Sequence, residues 1–231
     1  MASRVGGRRA RFDVSTRTEY VRAADLGGEA HVLESLLDGL DGDEVVWDVG
    51  ACVGTYACFL ARALPDGHVV AFEPEPTNRR RLRRNLAANA RPERWTVVAD
   101  ALSDTDGRAT LSAEFEEAGA GHHRLVPAGG DGPQVTTRRG DSLAGVLPRP
   151  DVVKIDVQGA ELQVLRSMGD ALAAVDRVYV EVHRQAIERY GATPSAVESA
   201  LRDAGFALSR LGEPTANRGG VYFLEAVAAD E

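Results

Sequence analysis

The sequence predicts an α/β protein built on a doubly wound, mostly parallel sheet with a C-terminal antiparallel pair. Short apolar runs alternate with segments of helical period along most of the 231 residues, which is the pattern of a parallel sheet covered on both faces. Four successive apolar runs also end in a carboxylate, at Asp48, Glu73, Asp100 and Asp156. Open α/β sheets bind ligands beyond the carboxyl ends of their strands. Four acids at such ends mark a cleft more firmly than any one of them.

Residues 1–18 are rich in Arg and Gly and are expected to be disordered, leaving 19–231 as a single domain. Apolar residues at helical spacing from Gly28 to Leu40 predict a helix. Glu44–Asp48 is a first strand and Val53–Leu64 a helix; His68–Glu73 is a second strand. Pro76–Ala90 is a helix, with its proline near the first turn, where a missing N–H costs little. Trp95–Asp100 is a third strand. Arg108–Phe115 reads as an extra strand, Glu116–Gly132 as a Gly- and His-rich loop, and Gln134–Arg138 as a partner of that extra strand. Asp151–Asp156 is a fourth buried strand, Ala160–Leu172 a helix, Arg177–His183 a fifth strand and Ser195–Ala204 a helix. Phe206–Leu211 and Gly220–Leu224 supply the terminal antiparallel pair.

Composition narrows the function. A net charge of -8 disfavours a general nucleic-acid binder, which normally carries a basic footprint. Of 27 basic residues only Lys154 is lysine, and it lies in an apolar strand. The acidic, lysine-poor balance fits a high-salt cytoplasm or an arginine-biased coding style. Cys52 and Cys58 make no disulfide framework. The polar N-terminus has no apolar stretch for a signal peptide, and no run is long enough to span a membrane. A cytoplasmic location is expected.

Asp48-Val-Gly-Ala-Cys-Val-Gly54 follows a strand and opens a helix. Gly50 lets backbone approach a ligand and Gly54 allows close helix packing. The spacing is neither GxGxxG nor a phosphate loop. Glu73 stands near the offset at which an acid binds ribose hydroxyls, and a carboxylate accepts two such bonds at once. Asp100 suits an adenine amino group, with a plain turn acid as the alternative. Period-two alternation puts Lys154 and Asp156 on one face of the fourth strand, and Tyr179, Glu181 and His183 on one face of the fifth. If these strands are adjacent, Lys154 is expected to pair with Glu181. His183 suits removal of a hydroxyl proton near neutral pH. Asp156 is the second candidate base, and Lys154 and Glu181 are groups that orient the pair. A metal-assisted version would use Asp156, Glu181 and His183 as ligands; no compact metal motif supports it. His122-His123 reads as a solvated pair, with a substrate-facing role as the alternative.

Taken together, Trp47-Asp-Val-Gly-Ala-Cys-Val-Gly54, Ala71-Phe-Glu-Pro74, Asp100-Ala-Leu-Ser-Asp104, Val153-Lys-Ile-Asp-Val-Gln-Gly-Ala-Glu161 and Val180-Glu-Val-His183 resemble the FkbM family of S-adenosylmethionine-dependent methyltransferases. The likeness covers about residues 29–190. It implies the class I methyltransferase (Rossmann-like) fold and O-methylation of a hydroxyl on a saccharide, glycan or secondary metabolite. It further implies that Asp48, Gly50 and Gly54 hold the methionine part of the cofactor, Glu73 the ribose, and Asp100 with Ala101 the adenine side. Ala51 and Pro74 complete that cofactor-binding set. The implied partner is a small-molecule or glycan acceptor, not nucleic acid. Two positions depart from the family pattern. Cys52 replaces the usual Asn, and Gln158 replaces a Glu, keeping an acceptor but losing a charge. The rival readings are a non-catalytic cofactor-binding module, an NAD-dependent oxidoreductase, which the missing third glycine disfavours, and a nucleic-acid methyltransferase, for which Arg79–Arg84 is the best support.

Overall fold

Five parallel strands carry the cleft, and the pattern of their burial explains why they are strands. The computed structural model describes residues 1–112, 118–121, 123–215 and 220–229. In chain order the elements are β1 (Ala2–Val5), β2 (Arg8–Arg11), α1 (Arg17–Asp25), α2 (Ala30–Asp38), β3 (Val45–Val49), α3 (Thr55–Ala63), β4 (His68–Phe72) and α4 (Pro76–Ala87). They continue with β5 (Trp95–Val98), β6 (Ala101–Leu102), β7 (Gly107–Ser112), β8 (Arg124–Pro127), β9 (Gln134–Arg138), α5 (Gly140–Ala144) and β10 (Val152–Ile155). The chain ends with α6 (Glu161–Met168), β11 (Arg177–His183), α7 (Pro194–Asp203), β12 (Phe206–Thr215) and β13 (Val221–Ala228).

The main sheet has the order β12-β13-β11-β10-β3-β4-β5. The five strands from β11 to β5 are parallel, and β13 and β12 close one edge antiparallel. Strand order reverses between β10 and β3, which is the switch point where such sheets open a crevice.

Alternate residues of the central strands enter two separate cores. Val46, Val69, Ala71, Val152 and Tyr179 pack with α2, α3 and α4 on one face. Trp47, Val49, Phe72, Val153, Ile155 and Val180 pack with α6 and α7 on the other. Burial on both faces is why these strands read as continuous apolar runs.

Three expectations need correction. Residues 1–18 are ordered: β1 and β2 form an antiparallel hairpin, with Val5, Ala10 and Phe12 buried. The Phe12 ring packs on Phe59 of α3, and the Asn85 and Asn89 side chains accept from the backbone N–H groups of Asp13 and Arg11. Few apolar residues are enough there because α3 and α4 provide the core. The segment expected to be a loop contains β8, which pairs antiparallel with β7; β9 pairs with the other side of β7, as expected. The third strand ends at Val98, and Ala101–Leu102 leaves the main sheet to pair with β9. Residues 113–117, within the expected extra strand and loop, lie outside the described residues, as does His122.

Helix α1 starts with a capping box. Thr16 Oγ1 accepts from the Glu19 N–H (3.0 Å), and the Glu19 carboxylate accepts from the Thr16 N–H (3.1 Å). The same hydroxyl donates to the Ala118 carbonyl (2.8 Å). Thr16→Ala is expected to cost about 1 kcal/mol, read as a lower urea midpoint with an unchanged m-value.

Candidate active site

The glycine turn after β3 is shaped by close approach. Gly50 has φ 85°, and a Cβ there would overlap the Asp156 carbonyl oxygen. Gly54 has φ 92° and lies against Leu82 of α4. Cys52 is also left-handed, at φ 51°, a conformation that Asn adopts more readily than most residues.

Below this turn lies a cleft of about 690 Å³, counting space open to solvent. Its lining includes Gly50, Glu73, Pro74, Asp100, Ala101 and Asp156. A smaller recess of about 320 Å³ adjoins it and shares Arg22, Gly50, Cys52 and Asp156. Ala51, Glu29, Tyr56 and Lys154 also line the recess.

Glu73 is anchored by two backbone donors, Cys52 N–H to Oε2 (2.8 Å) and Glu75 N–H to Oε1 (2.7 Å). Burial pushes its carboxyl up to about 7, against the lowering effect of those two hydrogen bonds. Each oxygen keeps a lone pair for a hydroxyl.

Asp48 and Gly54 do not line either cavity. Asp48 is 0% exposed and faces Lys154 (Oδ1 to Nζ 3.1 Å). The two residues are direct register partners on β3 and β10. Lys154 also approaches Asp156 (3.7 Å) and lies over the Tyr56 ring. The expected Lys154–Glu181 pair is therefore replaced by Lys154–Asp48. On the other side Lys154 is in register with Tyr179, and Glu181 lies two residues further along. Burial opposes the ammonium charge, but Asp48 and Asp156 outweigh it and raise the lysine above its ordinary range. Asp48 is itself raised, because burial outweighs what Lys154 returns.

Asp156, Glu181 and His183 come together at the strand ends, with potential ligand atoms all within 4.8 Å of one another. Of these three, only Asp156 reaches the cleft; His183 stands behind Gln158. His183 Nδ1 donates to Glu161 Oε1 (2.8 Å), and Nε2 accepts from the Gln158 amide (2.9 Å). That amide also donates to Asp156 Oδ1 (3.0 Å), which places its nitrogen between the two. Gln158 has φ 57°, a strained position of the kind that gathers at functional sites. Burial alone would push the His183 imidazole down. The Glu161 hydrogen bond and the Glu181 and Asp156 charges overcome it and raise the ring to about 9. A protonated ring would put N–H against the amide NH₂, so protonation requires Gln158 to turn its oxygen towards His183.

Sequence reasoning missed Arg22, Asn78 and Glu161. Arg22 Nε donates to the Gly119 carbonyl (2.7 Å), and Asn78 holds Gly119 N–H and the Ala120 carbonyl (both 2.9 Å). Together they clamp residues 118–121 over the cleft. Glu161 closes the lysine-strand motif, so its place in the motif was the available signal. Arg22 and Asn78 lie outside every motif. His123 lines the cleft.

The methyltransferase FkbM domain description matches residues 48–208. The hexuronic acid methyltransferase AglP of Haloferax volcanii is 36% identical over 207 residues, covering 88% of this chain and 80% of that protein. Methyltransferase sdnD of Sordaria araneosa is 26% identical over 208 residues, covering 74% of this chain and 76% of that protein. Among solved structures, methyltransferase FkbM from Methylobacillus flagellatus KT matches with TM-score 0.57 and 17% identity, over 92% of this chain and 55% of that one. Magnesium protoporphyrin IX methyltransferase of Synechocystis PCC 6803, with bound S-adenosylmethionine, matches with TM-score 0.56 and 15% identity, over 94% and 86%. These structures share the class I methyltransferase fold with the chain. Among the described residues no helix is long and apolar enough to cross a membrane.

Proposed function

Since the chain belongs to the FkbM methyltransferase family, we propose that it moves the methyl group of S-adenosylmethionine onto a hydroxyl oxygen of a saccharide, uronic acids included. The observation that carries this is Glu73. A carboxylate fixed by two backbone N–H groups keeps lone pairs directed at a cleft that runs on to Asp156. A ribose diol fits that acceptor pair, and Asp100 with Ala101, which line the same cleft, would face the adenine. The saccharide class follows the hexuronic acid methyltransferase of Haloferax volcanii, 36% identical.

When bound, the cofactor supplies an electrophilic methyl carbon on a sulfonium. The residues at the strand ends would hold the acceptor hydroxyl facing that carbon and take its proton as the methyl group leaves the sulfur. His183 is the leading base, reached once Gln158 moves aside, with Asp156, which lines the cleft, second; Lys154 and Glu181 position them. Holding the acceptor in line contributes several kcal/mol to the barrier reduction.

The direct test incubates the protein with S-adenosylmethionine and a hexuronate-containing glycan and looks for the mass of one added methylene. No gain on any saccharide would overturn the acceptor class. His183→Ala is expected to lower turnover by about 10²-fold while leaving S-adenosylhomocysteine binding intact. Because the folded ring is raised to about 9, wild-type turnover should climb with pH towards that value. The same shift stabilises the fold at low pH, and the contribution is lost as pH rises through about 9. Undiminished turnover in His183→Ala removes the residue from the role.

A further inference from the structure

Four N–H groups of the glycine turn are already engaged. The N–H groups of Gly50 and Ala51 both donate to the Phe72 carbonyl, that of Cys52 to Glu73, and that of Gly54 to the Ala51 carbonyl. A zwitterionic tail lying past this turn finds none of these four N–H groups free for its carboxylate. Acids are plentiful: Glu73, Asp100 and Asp156 line the cleft, and Glu29 lines the recess. Among the described lining residues the cations are Arg22 and Lys154, and Lys154 is committed to Asp48 and Asp156.

Arg22 stands where the cleft meets the recess and lines both. Its Nε is held by the Gly119 carbonyl. Its Nη1 and Nη2 make no hydrogen bond among the described residues. The Nη2 end of the guanidinium abuts Gly121, where a Cβ would overlap it. The guanidinium is thus held at Nε and bounded at Nη2, with no carboxylate hydrogen-bonded to it among the described residues, and a cation so placed suits a carboxylate.

We propose that Arg22 is the receptor for the methionyl α-carboxylate of the donor. This rests on the methyltransferase reading above and extends it. The adenosine end lies between Glu73 and Asp100, the tail passes Gly50, and the carboxylate meets Arg22. Helix α1, outside the motif-bearing strands, therefore completes the cofactor site and ties donor binding to the clamp over residues 118–121.

The test compares two ligands by calorimetry. S-adenosylhomocysteine carries the amino-acid tail, and 5′-methylthioadenosine has the same adenosine and sulfur without it. In Arg22→Gln, affinity for the first is expected to fall by at least about tenfold, the scale of a lost charged hydrogen bond, with the second unchanged. Arg22→Lys should recover part of the loss. Gly121→Ala keeps the charge but displaces the fork, so it should lower the same ratio. If the two ligands weaken together, or neither weakens, or only the KM of a carboxylate-bearing acceptor rises, the assignment is overturned. Wild-type protein that binds neither ligand would instead overturn the methyltransferase reading.

Discussion

Lys154→Met is expected to destabilise the fold by about 3–5 kcal/mol at neutral pH, because it leaves a buried carboxylate without its partner. Asp48 is 0% exposed and Lys154 6%. Asp48 is already raised by burial with the lysine in place, and in the variant it would rise further. An acid raised above its unfolded value costs stability above that value, and the cost disappears as pH falls below it. The gap between variant and wild type should therefore narrow as pH is lowered towards about 4. Asp48→Asn in the Lys154→Met background should recover most of the loss, because the charge that needed a partner is gone. Lys154→Arg should recover only part, since a planar fork must displace Asp156 or the Tyr56 ring, which a compact ammonium does not. Urea unfolding of the four proteins at two pH values reads all of this. A Lys154→Met protein within about 1 kcal/mol of wild type, a surface-pair magnitude, would show that the pair is not a buried structural ion pair.

Glu73→Ala is expected to weaken S-adenosylhomocysteine binding by about 10³-fold, the scale of two hydrogen bonds to a charged acceptor. The loss has two sources. The ribose loses its acceptor, and the Cys52 and Glu75 N–H groups lose theirs, so the turn around Cys52 relaxes. Glu73→Gln should fall between, because one amide position faces a backbone N–H with another N–H. In the wild type the carboxyl is pushed up to about 7. Cofactor affinity should accordingly rise as pH passes upward through that value. The ligand-free fold moves the other way. Its stability falls as pH rises from about 4.5 to about 7, by about 3 kcal/mol, and then levels off. Calorimetric titration at pH 6 and 8.5 measures the first effect, and thermal unfolding without ligand the second. Affinity that ignores both pH and Glu73→Ala would remove Glu73 from the cofactor site.

The central parallel strands were legible because they are buried on both faces, so Val, Trp, Ile and Phe dominate them up to the polar residues at their ends. The hairpin at residues 2–11 was not legible. Its buried apolar side chains, Val5 and Ala10, and the adjoining Phe12 sit among arginines, and it is ordered by α3 and α4 rather than by itself. Strand β8 was missed for a related reason, being a short edge strand that pairs only with β7. Of the site, the acids at the strand ends were readable as types in position, while their partners were not. Asp48 was expected against ligand and is instead the counterion of Lys154, because the β3–β10 register sets them side by side. Arg22 carries no motif and comes to the cleft only through the placement of α1.

The sequence alone determined the alternating α/β order, the glycine turn after β3 and the line of acids Glu73, Asp100 and Asp156. Each follows from local backbone need or from which faces of a strand meet the core, and both leave a period or a residue type in the chain. Tertiary structure decided that Lys154 answers Asp48, that Gln158 stands before His183, and that the first helix brings a guanidinium to the recess. Those facts depend on strand register and on how distant segments dock, which the period of a single segment does not contain.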